Sequence, residues 1–262
     1  YMKDMWGGDT EDIYLTRAES TNNGGGLSLN SGTYTVIRYE CHFCKASEFV
    51  ENEYTCGAGM SLGTAATLQL EDAVVADPLG CGILVLDGSQ AIVRRSKFLR
   101  GQAILGGGLL VAGATATIYD SLFDLNSCDM GGGAFWAHLD STSVTIVNSE
   151  VTRNRGLRMG SGLAVSVGAQ VTMRGTRVHH NGADSGFVWG AIVVWNAKLT
   201  IRDDCKIYRN KVRYGGGIVV GQGSTLDAES SYIGENEVTM DGAQIYLGDG
   251  SGFTEEQSNI PD

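Results

Sequence analysis

Residues 106–126 read GGGLLVAGATATIYDSLFDLN, and this stretch decides the fold. A glycine triplet is followed by an apolar segment, a short alternating segment, and the turn Phe123-Asp124-Leu125-Asn126. Both ends of this unit recur along the chain. A repeat made only of short strands cannot enclose a core by itself, so it has to stack on copies of itself.

The small-residue element recurs nine times, each time before an apolar segment. The elements are Gly24-Gly25-Gly26, Gly57-Ala58-Gly59, Gly80-Cys81-Gly82, Gly106-Gly107-Gly108, Gly131-Gly132-Gly133, Gly160-Ser161-Gly162, Trp189-Gly190-Ala191, Gly215-Gly216-Gly217 and Asp241-Gly242-Ala243. Their third positions are 33, 23, 26, 25, 29, 29, 26 and 26 residues apart. We expect glycine at corners that need a positive φ or where neighbouring coils approach closely.

The second recurring element is an apolar residue followed three positions later by a turn residue. In the last five repeats that turn residue is asparagine, at Asn126, Asn154, Asn181, Asn210 and Asn236. Stacked asparagines can form a hydrogen-bonded ladder and tolerate the left-handed backbone conformation. The fold class predicted is all-β, a right-handed parallel β-helix (β-solenoid) of about nine coils.

Composition agrees with this fold and excludes others. The 262 residues include 38 glycines and only 2 prolines, which does not fit a helical bundle or a collagen, and 42% are hydrophobic, which argues against disorder. No apolar run reaches the 18 residues of a membrane-spanning helix, so no transmembrane segment is predicted. We divide the chain into an N-terminal capping segment (1–23), a β-helix domain (24–247) and an acidic C-terminal tail (248–262).

The alternation of glycine-plus-apolar elements with Phe-x-x-Asn turns resembles the repeats of the chlamydial-type polymorphic outer-membrane proteins. Phe123–Asn126 matches fully, whereas Val151, Val178, Ile207 and Ile233 are aliphatic variants at the first position. The resemblance covers roughly residues 24–247 and belongs to the wider pectate-lyase-like superfold. It implies a secreted or cell-surface β-helix, and such β-helices include adhesins, enzymes and assembly subunits.

Charge is distributed unevenly. The net charge is −11, which argues against nucleic-acid binding. Residues 150–215 nevertheless contain 11 Lys and Arg against 4 Asp and Glu, a local +7, which leaves −18 for the remainder. The two regions are therefore expected to face different partners.

Six cysteines are too few for a disulfide scaffold. Cys41, Cys44 and Cys56 cluster in what we interpret as an insertion near residues 41–58. Cys41 and Cys44 have CxxC spacing, but a zinc site needs a second pair and the chain has no other CxxC. We expect a structural disulfide or buried thiols, and no metal.

An apolar stripe is predicted on the outside of the strands that follow the glycine elements. Strand alternation places Leu109, Val111, Ile218 and Val220 inward and the position between them outward. The outward stripe is a candidate interface with another protein, a second copy or a flanking segment of the same chain, or it is ordinary strand composition. Its residues are Leu84, Leu110, Phe135, Val193, Trp195, Val219 and Tyr246.

The basic region maps to the asparagine turns, on one edge of the stack. Such an edge suits sulfate, uronate or phosphate groups of an acidic glycan, or it is a solvated edge that keeps the solenoid soluble. The candidate glycan-binding residues are Arg153, Arg155, Arg177, His180, Arg209, Lys211 and Arg213.

Catalytic motifs are sparse. Asp203-Asp204 is a carboxylate pair beside a strand, and His179-His180 lies in a turn with no carboxylate expected to orient it. No cofactor is predicted. The leading hypothesis is a non-enzymatic structural or adhesive module in a protein assembly, and the alternative is a β-helix that binds or cleaves an acidic polysaccharide.

Overall fold

A computed structural model describes residues 8–20, 25–46, 57–182 and 188–261. Within these ranges the regular elements are all β-strands, and their ladders are parallel. The strands form three long sheets and three short ones. Each coil contributes one strand to each of the three long sheets. Each of these strands pairs with the corresponding strand of the coil before it.

The first sheet has ten strands in the order of the chain. They are β1 (Gly8–Glu11), β5 (Gly32–Ile37), β9 (Ala66–Glu71), β12 (Gln90–Arg94), β16 (Thr115–Tyr119), β20 (Ser143–Val147), β24 (Gln170–Arg174), β27 (Lys198–Arg202), β31 (Thr225–Glu229) and β35 (Gly252–Glu256). The second sheet has nine short strands. They are β2 (Tyr14–Thr16), β6 (Glu40–His42), β10 (Val74–Ala76), β13 (Lys97–Leu99), β17 (Leu122–Asp124), β21 (Glu150–Thr152), β25 (Arg177–His179), β28 (Lys206–Tyr208) and β32 (Tyr232–Gly234).

The third sheet also has nine strands. They are β4 (Leu27–Leu29), β8 (Gly57–Leu62), β11 (Cys81–Leu86), β15 (Leu109–Ala112), β19 (Phe135–His138), β23 (Leu163–Ser166), β26 (Ile192–Trp195), β30 (Ile218–Val220) and β34 (Ile245–Leu247). Short ladders line the connection from the second to the third sheet. They comprise β3 (Glu19–Ser20), β7 (Lys45–Ala46), β14 (Gln102–Leu105), β18 (Ser127–Gly131), β22 (Arg155–Gly156), β29 (Lys211–Tyr214) and β33 (Glu237–Asp241).

These ladders confirm the all-β solenoid predicted from the repeat. They also extend past both limits of the predicted β-helix domain. Strand β1 pairs with β5, and β35 pairs with β31, so strands of the first sheet lie in the stretches predicted as a capping segment and a tail. Of the predicted insertion near 41–58, residues 47–56 lie outside the described part of the chain.

A single apolar core runs along the inside of the solenoid. Leu109, Val111, Ile218 and Val220, predicted to point inward, are all fully buried in it. Phe98 and Phe123 stack in neighbouring coils, with ring centroids 4.7 Å apart. Each coil buries its inner side chains against the coils before and after it, which is why the repeat folds only as a stack.

The five asparagines form the predicted ladder. Each of the first four donates from Nδ2 to Oδ1 of the asparagine in the next coil, at 3.0, 2.9, 3.0 and 2.9 Å from Asn126 to Asn236. All five are buried. At one end the backbone N–H of Gly101 donates to Asn126, and at the other Asn236 donates to Oε1 of Gln244 at 2.9 Å. Buried amides are therefore satisfied along the whole ladder.

The left-handed residue of each turn is the one before the asparagine, which corrects the expectation that asparagine itself takes this conformation. Leu125, Arg153, His180, Arg209 and Glu235 have φ between 52° and 58°. The asparagine side chain instead points inward to bond the next coil. The side chain of its left-handed neighbour is thereby directed outward, which places mostly charged residues at this turn.

Glycine serves both functions expected of it. Gly106 has a φ of +55°, a conformation that favours glycine. Gly108 allows close approach, because a Cβ there would lie 2.8 Å from the carbonyl oxygen of Ala134 and from Cδ1 of Phe123. The disulfide expectation is met by a Cys41–Cys44 bond, whereas Cys128 and Cys205 are buried free thiols.

Candidate binding surface on the third sheet

The outward row of the third sheet is fixed by its strand register. Successive pairs connect Ser61 to Leu84, Leu84 to Leu110, Leu110 to Trp136, and onward to Tyr246. The full row is Ser28, Ser61, Leu84, Leu110, Trp136, Ala164, Val193, Val219 and Tyr246. An apolar row therefore does lie on the outer face from the third coil onward.

Phe135 does not belong to this row, and its prediction as an interface residue is wrong. It pairs with Leu109 and Leu163, is only 1% exposed, and lies in the central core. The cause is the tetrad Gly131-Gly132-Gly133-Ala134, in which Ala134 occupies the position that Gly108 holds in the preceding coil. One extra small residue shifts the alternation by one, so Trp136 faces outward instead.

The upstream half of the row is covered by the chain itself. Leu84 and Leu110 are fully buried in a small apolar cluster with Cys81, separate from the central core. Ala103 and Leu105, from strand β14, pack against this cluster. Leu84 and Leu110 are thus removed from the predicted free interface, because a flanking segment of the same chain occupies that part of the face.

The downstream half of the row carries an open groove of about 510 Å³. Its residues come from four consecutive coils and from the loop after the last strand of the third sheet. They are Met159, Trp189, Val193, Trp195, Val219, Gly221, Gln222, Tyr246, Gly248 and Asp249. Four predicted interface residues, Val193, Trp195, Val219 and Tyr246, are therefore brought together.

Aromatic rings dominate the exposed surface of the groove. Trp189 is 40% exposed, Trp195 52% and Tyr246 40%, whereas Val193 and Val219 are nearly fully buried. The ring of Trp189 stacks on Tyr214 with centroids 5.1 Å apart, and lies edge-on to Tyr246 at 6.3 Å. The valines thus contribute an aliphatic base, and the rings contribute the accessible surface.

Glycines help to shape the groove. Gly221 lies beneath the indole of Trp195, and a Cβ at Gly221 would overlap that ring. Trp189 was not predicted as a functional residue, because in the sequence it appears only as the first member of a small-residue element. Its place in the groove arises from the bridges that align it with Met159 and Tyr214 in neighbouring coils.

A polar cluster adjoins the groove on the same face. Nε1 of Trp136 donates to Oγ of Ser166 at 2.7 Å, and that hydroxyl lies 2.8 Å from Nδ1 of His138. Burial lowers the pKa of His138, so the imidazole is neutral near pH 7 and its Nδ1 can accept the proton of Ser166. Ser166 is therefore fully bonded between its two neighbours.

The basic edge is largely neutralised by acids of adjacent coils. Arg153 binds Asp124 through two hydrogen bonds of 2.8 and 2.5 Å. Three further candidate residues are paired in the same way: Arg177 with Glu150 at 3.2 Å, Arg209 with Glu235 at 2.8 Å, and Lys211 with Glu237 at 3.2 Å. The turn places these residues on one edge as predicted, but these four basic side chains are each paired with a carboxylate of an adjacent coil. Arg213 lies over the ring of Tyr214, with its guanidinium carbon 5.9 Å from the centroid.

The histidine turn has a carboxylate neighbour that the sequence did not suggest. Nε2 of His179 lies 2.8 Å from Oε1 of Glu150 in the preceding coil, and its Nδ1 lies 2.7 Å from Nδ1 of His180. The ring of His179 also stacks on Tyr208 at 4.9 Å. Burial lowers the pKa of His179, and Glu150 opposes that shift only in part. The expectation of an unaccompanied turn histidine is wrong, because the partner is 29 residues away in sequence.

The carboxylate pair Asp203-Asp204 is engaged in ion pairs. Asp203 contacts Arg174 at 2.7 Å, and Asp204 contacts Lys206 at 3.3 Å. Both residues have positive φ, which marks the extra residue at this turn. In the described ranges, no group of three or more His, Cys, Asp and Glu side chains is arranged to hold a metal ion.

A family model described as the right-handed β-helix region matches residues 21–191, about two thirds of the chain. The chain belongs to this right-handed β-helix family. Its membership, with the parallel ladders, confirms the predicted fold class and its handedness. A search of curated proteins and a search of solved structures each gave no match.

The family match covers the first six strands of the third sheet, from β4 to β23. Most of the groove lies beyond it, since Val193, Trp195, Val219 and Tyr246 follow residue 191. The groove is therefore a feature of this chain's downstream coils.

Among the residues described, no helix is long and apolar enough to cross a membrane.

Proposed function

We propose that this β-helix is a non-enzymatic structural or adhesive module, secreted or at a cell surface, that takes part in a protein assembly through the third sheet. The observation that carries the proposal is the exposed aromatic groove formed by Trp189, Trp195 and Tyr246 over a buried aliphatic base. Clustered exposed aromatic residues on an otherwise polar protein mark interaction surfaces.

The composition of the groove favours a protein partner. Trp and Tyr are the residues most enriched where a few side chains supply most of the binding energy of a protein interface. The groove contains a single charged residue, Asp249, so docking there removes few charges from water. The stacking of Trp189 on Tyr214 orders that ring before binding, which reduces the entropy that association costs.

Two further features support the location. The Cys41–Cys44 disulfide is typical of an oxidising compartment. The resemblance of the Phe123–Asn126 turn to the polymorphic outer-membrane protein repeats also favours a cell surface, and we keep that closer relationship as part of the proposal.

The alternative, an acidic-polysaccharide module, has less support. Four of its seven candidate residues, Arg153, Arg177, Arg209 and Lys211, are paired with carboxylates, so a glycan would have to compete with those ion pairs. A lyase or hydrolase would need acid and base groups for the proton transfers. Asp203 and Asp204, the carboxylate pair noted in the sequence, instead form ion pairs with the basic side chains of Arg174 and Lys206.

The test is site-specific photo-cross-linking. A photoreactive phenylalanine analogue replaces Trp195, and the protein is irradiated in a native surface preparation and, separately, alone. We expect a cross-linked product of discrete mass that disappears when Tyr246→Lys is added. The matched control adds Leu125→Lys, an exposed apolar residue of a turn away from the groove, and retains the product.

Monomeric sedimentation combined with no cross-linked product would refute the assembly. The glycan alternative is tested in parallel by retention on an immobilised acidic polysaccharide. Salt-sensitive retention that is lost in the Arg153→Ala, Arg209→Ala double variant would favour that alternative.

A further inference from the structure

We infer that the groove receives an extended, mainly aliphatic segment of a partner protein, with a basic residue at one end. This inference rests on the proposed function and names the class of segment that the third sheet binds. It is argued from the way the molecule covers the upstream half of the same face.

Upstream, an extended segment of the chain already occupies the outer face. Strand β14 alternates exposed and half-buried residues along Gln102–Leu105, and its half-buried Ala103 and Leu105 pack against Leu84 and Leu110. This is the pattern of an extended strand that lays every second side chain on an apolar surface. The face therefore accepts small and aliphatic side chains in an extended segment.

Downstream, the same outer row continues with aliphatic residues but without this cover. Val193 and Val219 occupy the positions of Leu84 and Leu110 in the ladder. The position equivalent to Leu105 is held in later coils by Gly131, Met159, Trp189 and Tyr214 in turn. The ring of Trp189 stacks on Tyr214, and the space between Trp189 and Trp195 stays open as the groove.

The charge at the groove predicts the residue at the end of the bound segment. Asp249 is exposed at the groove, and none of the residues that line the groove is Lys or Arg. Aromatic faces also attract cations when these lie within about 6 Å of the ring. A lysine or arginine at the end of the aliphatic segment would therefore meet Asp249 and the exposed rings, whereas an acidic segment would be repelled.

The experiment titrates the intact chain with a synthetic peptide and follows tryptophan indole N–H signals by NMR. The probe copies the covering segment, residues 101–107 (GQAILGG), with one added C-terminal lysine. We expect saturable shifts of the Trp189 and Trp195 signals at millimolar peptide. The Trp136 indole, which is bonded to Ser166 beside the groove, should shift less than these two.

Variants and a second peptide make the test specific. Trp195→Gln should weaken binding at least about fivefold, because an exposed aromatic contact is removed, and Leu125→Lys should leave it unchanged. Circular dichroism checks that both variants keep the β-sheet signal. A control peptide in which the Ala, Ile and Leu of the probe are replaced by Ser and Gln should cause no shift.

The inference is overturned if neither peptide shifts the two indoles, or if the polar peptide shifts them equally. It is also overturned if an uncharged oligosaccharide shifts them and the aliphatic peptide does not, or if raising the protein concentration alone shifts them, which would identify a second copy as the occupant. A cross-link from position 195 without peptide binding would retain the proposed assembly and reject only the extended segment. Loss of that cross-link would reject the assembly itself.

Discussion

The asparagine ladder gives a quantitative test of what holds the coils together. Asn181 is fully buried at the centre of the ladder. Its Oδ1 accepts from the backbone N–H and from Nδ2 of Asn154, both at 2.9 Å. Its Nδ2 donates to Val151 at 2.9 Å, to Asn210 at 3.0 Å and to the carbonyl of His179 at 3.1 Å. Replacement by alanine removes all five contacts.

The magnitude follows from which groups lose their partners. The backbone N–H of Asn154 has Oδ1 of Asn181 as its acceptor, and a buried donor left unsatisfied costs about 1–3 kcal/mol. The Nδ2 of Asn154 keeps two carbonyl acceptors, those of Phe123 and Thr152, so losing its bond to Asn181 costs less free energy than the unsatisfied backbone N–H does. With about 1 kcal/mol for the other bonds, we expect Asn181→Ala to lower the free energy of unfolding by about 2–4 kcal/mol.

Urea denaturation followed by circular dichroism measures this difference. Asn148→Gly is the matched control, because Asn148 is an exposed turn residue with a φ of +49°, a conformation that glycine adopts freely. We expect the control to change stability by less than about 0.5 kcal/mol. A loss below about 1 kcal/mol for Asn181→Ala, or equal losses for the two variants, would show that the ladder does not stabilise the stack.

Three other predictions concern the core, the thiols and pH. Phe135→Ala should cost about 3–5 kcal/mol in urea unfolding, and a loss below about 1 kcal/mol would mean that Phe135 lies outside the core. Cys128 and Cys205, whose pKa values burial raises to about 11, should react with iodoacetamide at pH 8 only after unfolding, and rapid native alkylation would contradict their burial. The lowered pKa of His179 contributes stability that is present above the unfolded-state pKa of about 6.5 and is lost as pH falls, so the melting temperature should drop below that pH. His179→Gln should reduce this drop, and an unchanged profile would refute the assignment.

Much of the fold could be predicted from local patterns. The glycine elements, the alternating segments and the Asn126-type turns each specify a local conformation, and their period specifies stacking. The ladder followed from the same reasoning, since identical residues in register in a parallel stack must lie one above another. Even the inward positions of Leu109 and Val111 are consequences of strand alternation.

The predictions from sequence were wrong where a single residue, or a contact between two coils, decides where a side chain lies. A single extra small residue before Phe135 reverses its side, and the period alone cannot show which of four small residues is the extra one. The partner of His179, Glu150, lies 29 residues away. Likewise, Asp124 and Arg153 meet only because adjacent coils place them side by side.

The sequence by itself determined the scaffold of this protein, because stacking a periodic chain repeats the same local geometry in every coil. The tertiary structure alone decided which part of the outer face is available. Leu84 and Val193 occupy equivalent positions in the repeat. Leu105 packs against the cluster that contains Leu84, whereas Trp189 stacks on Tyr214 and an open groove lies beside Val193. That difference depends on side chains from separate coils, and a pattern read along one coil does not contain it.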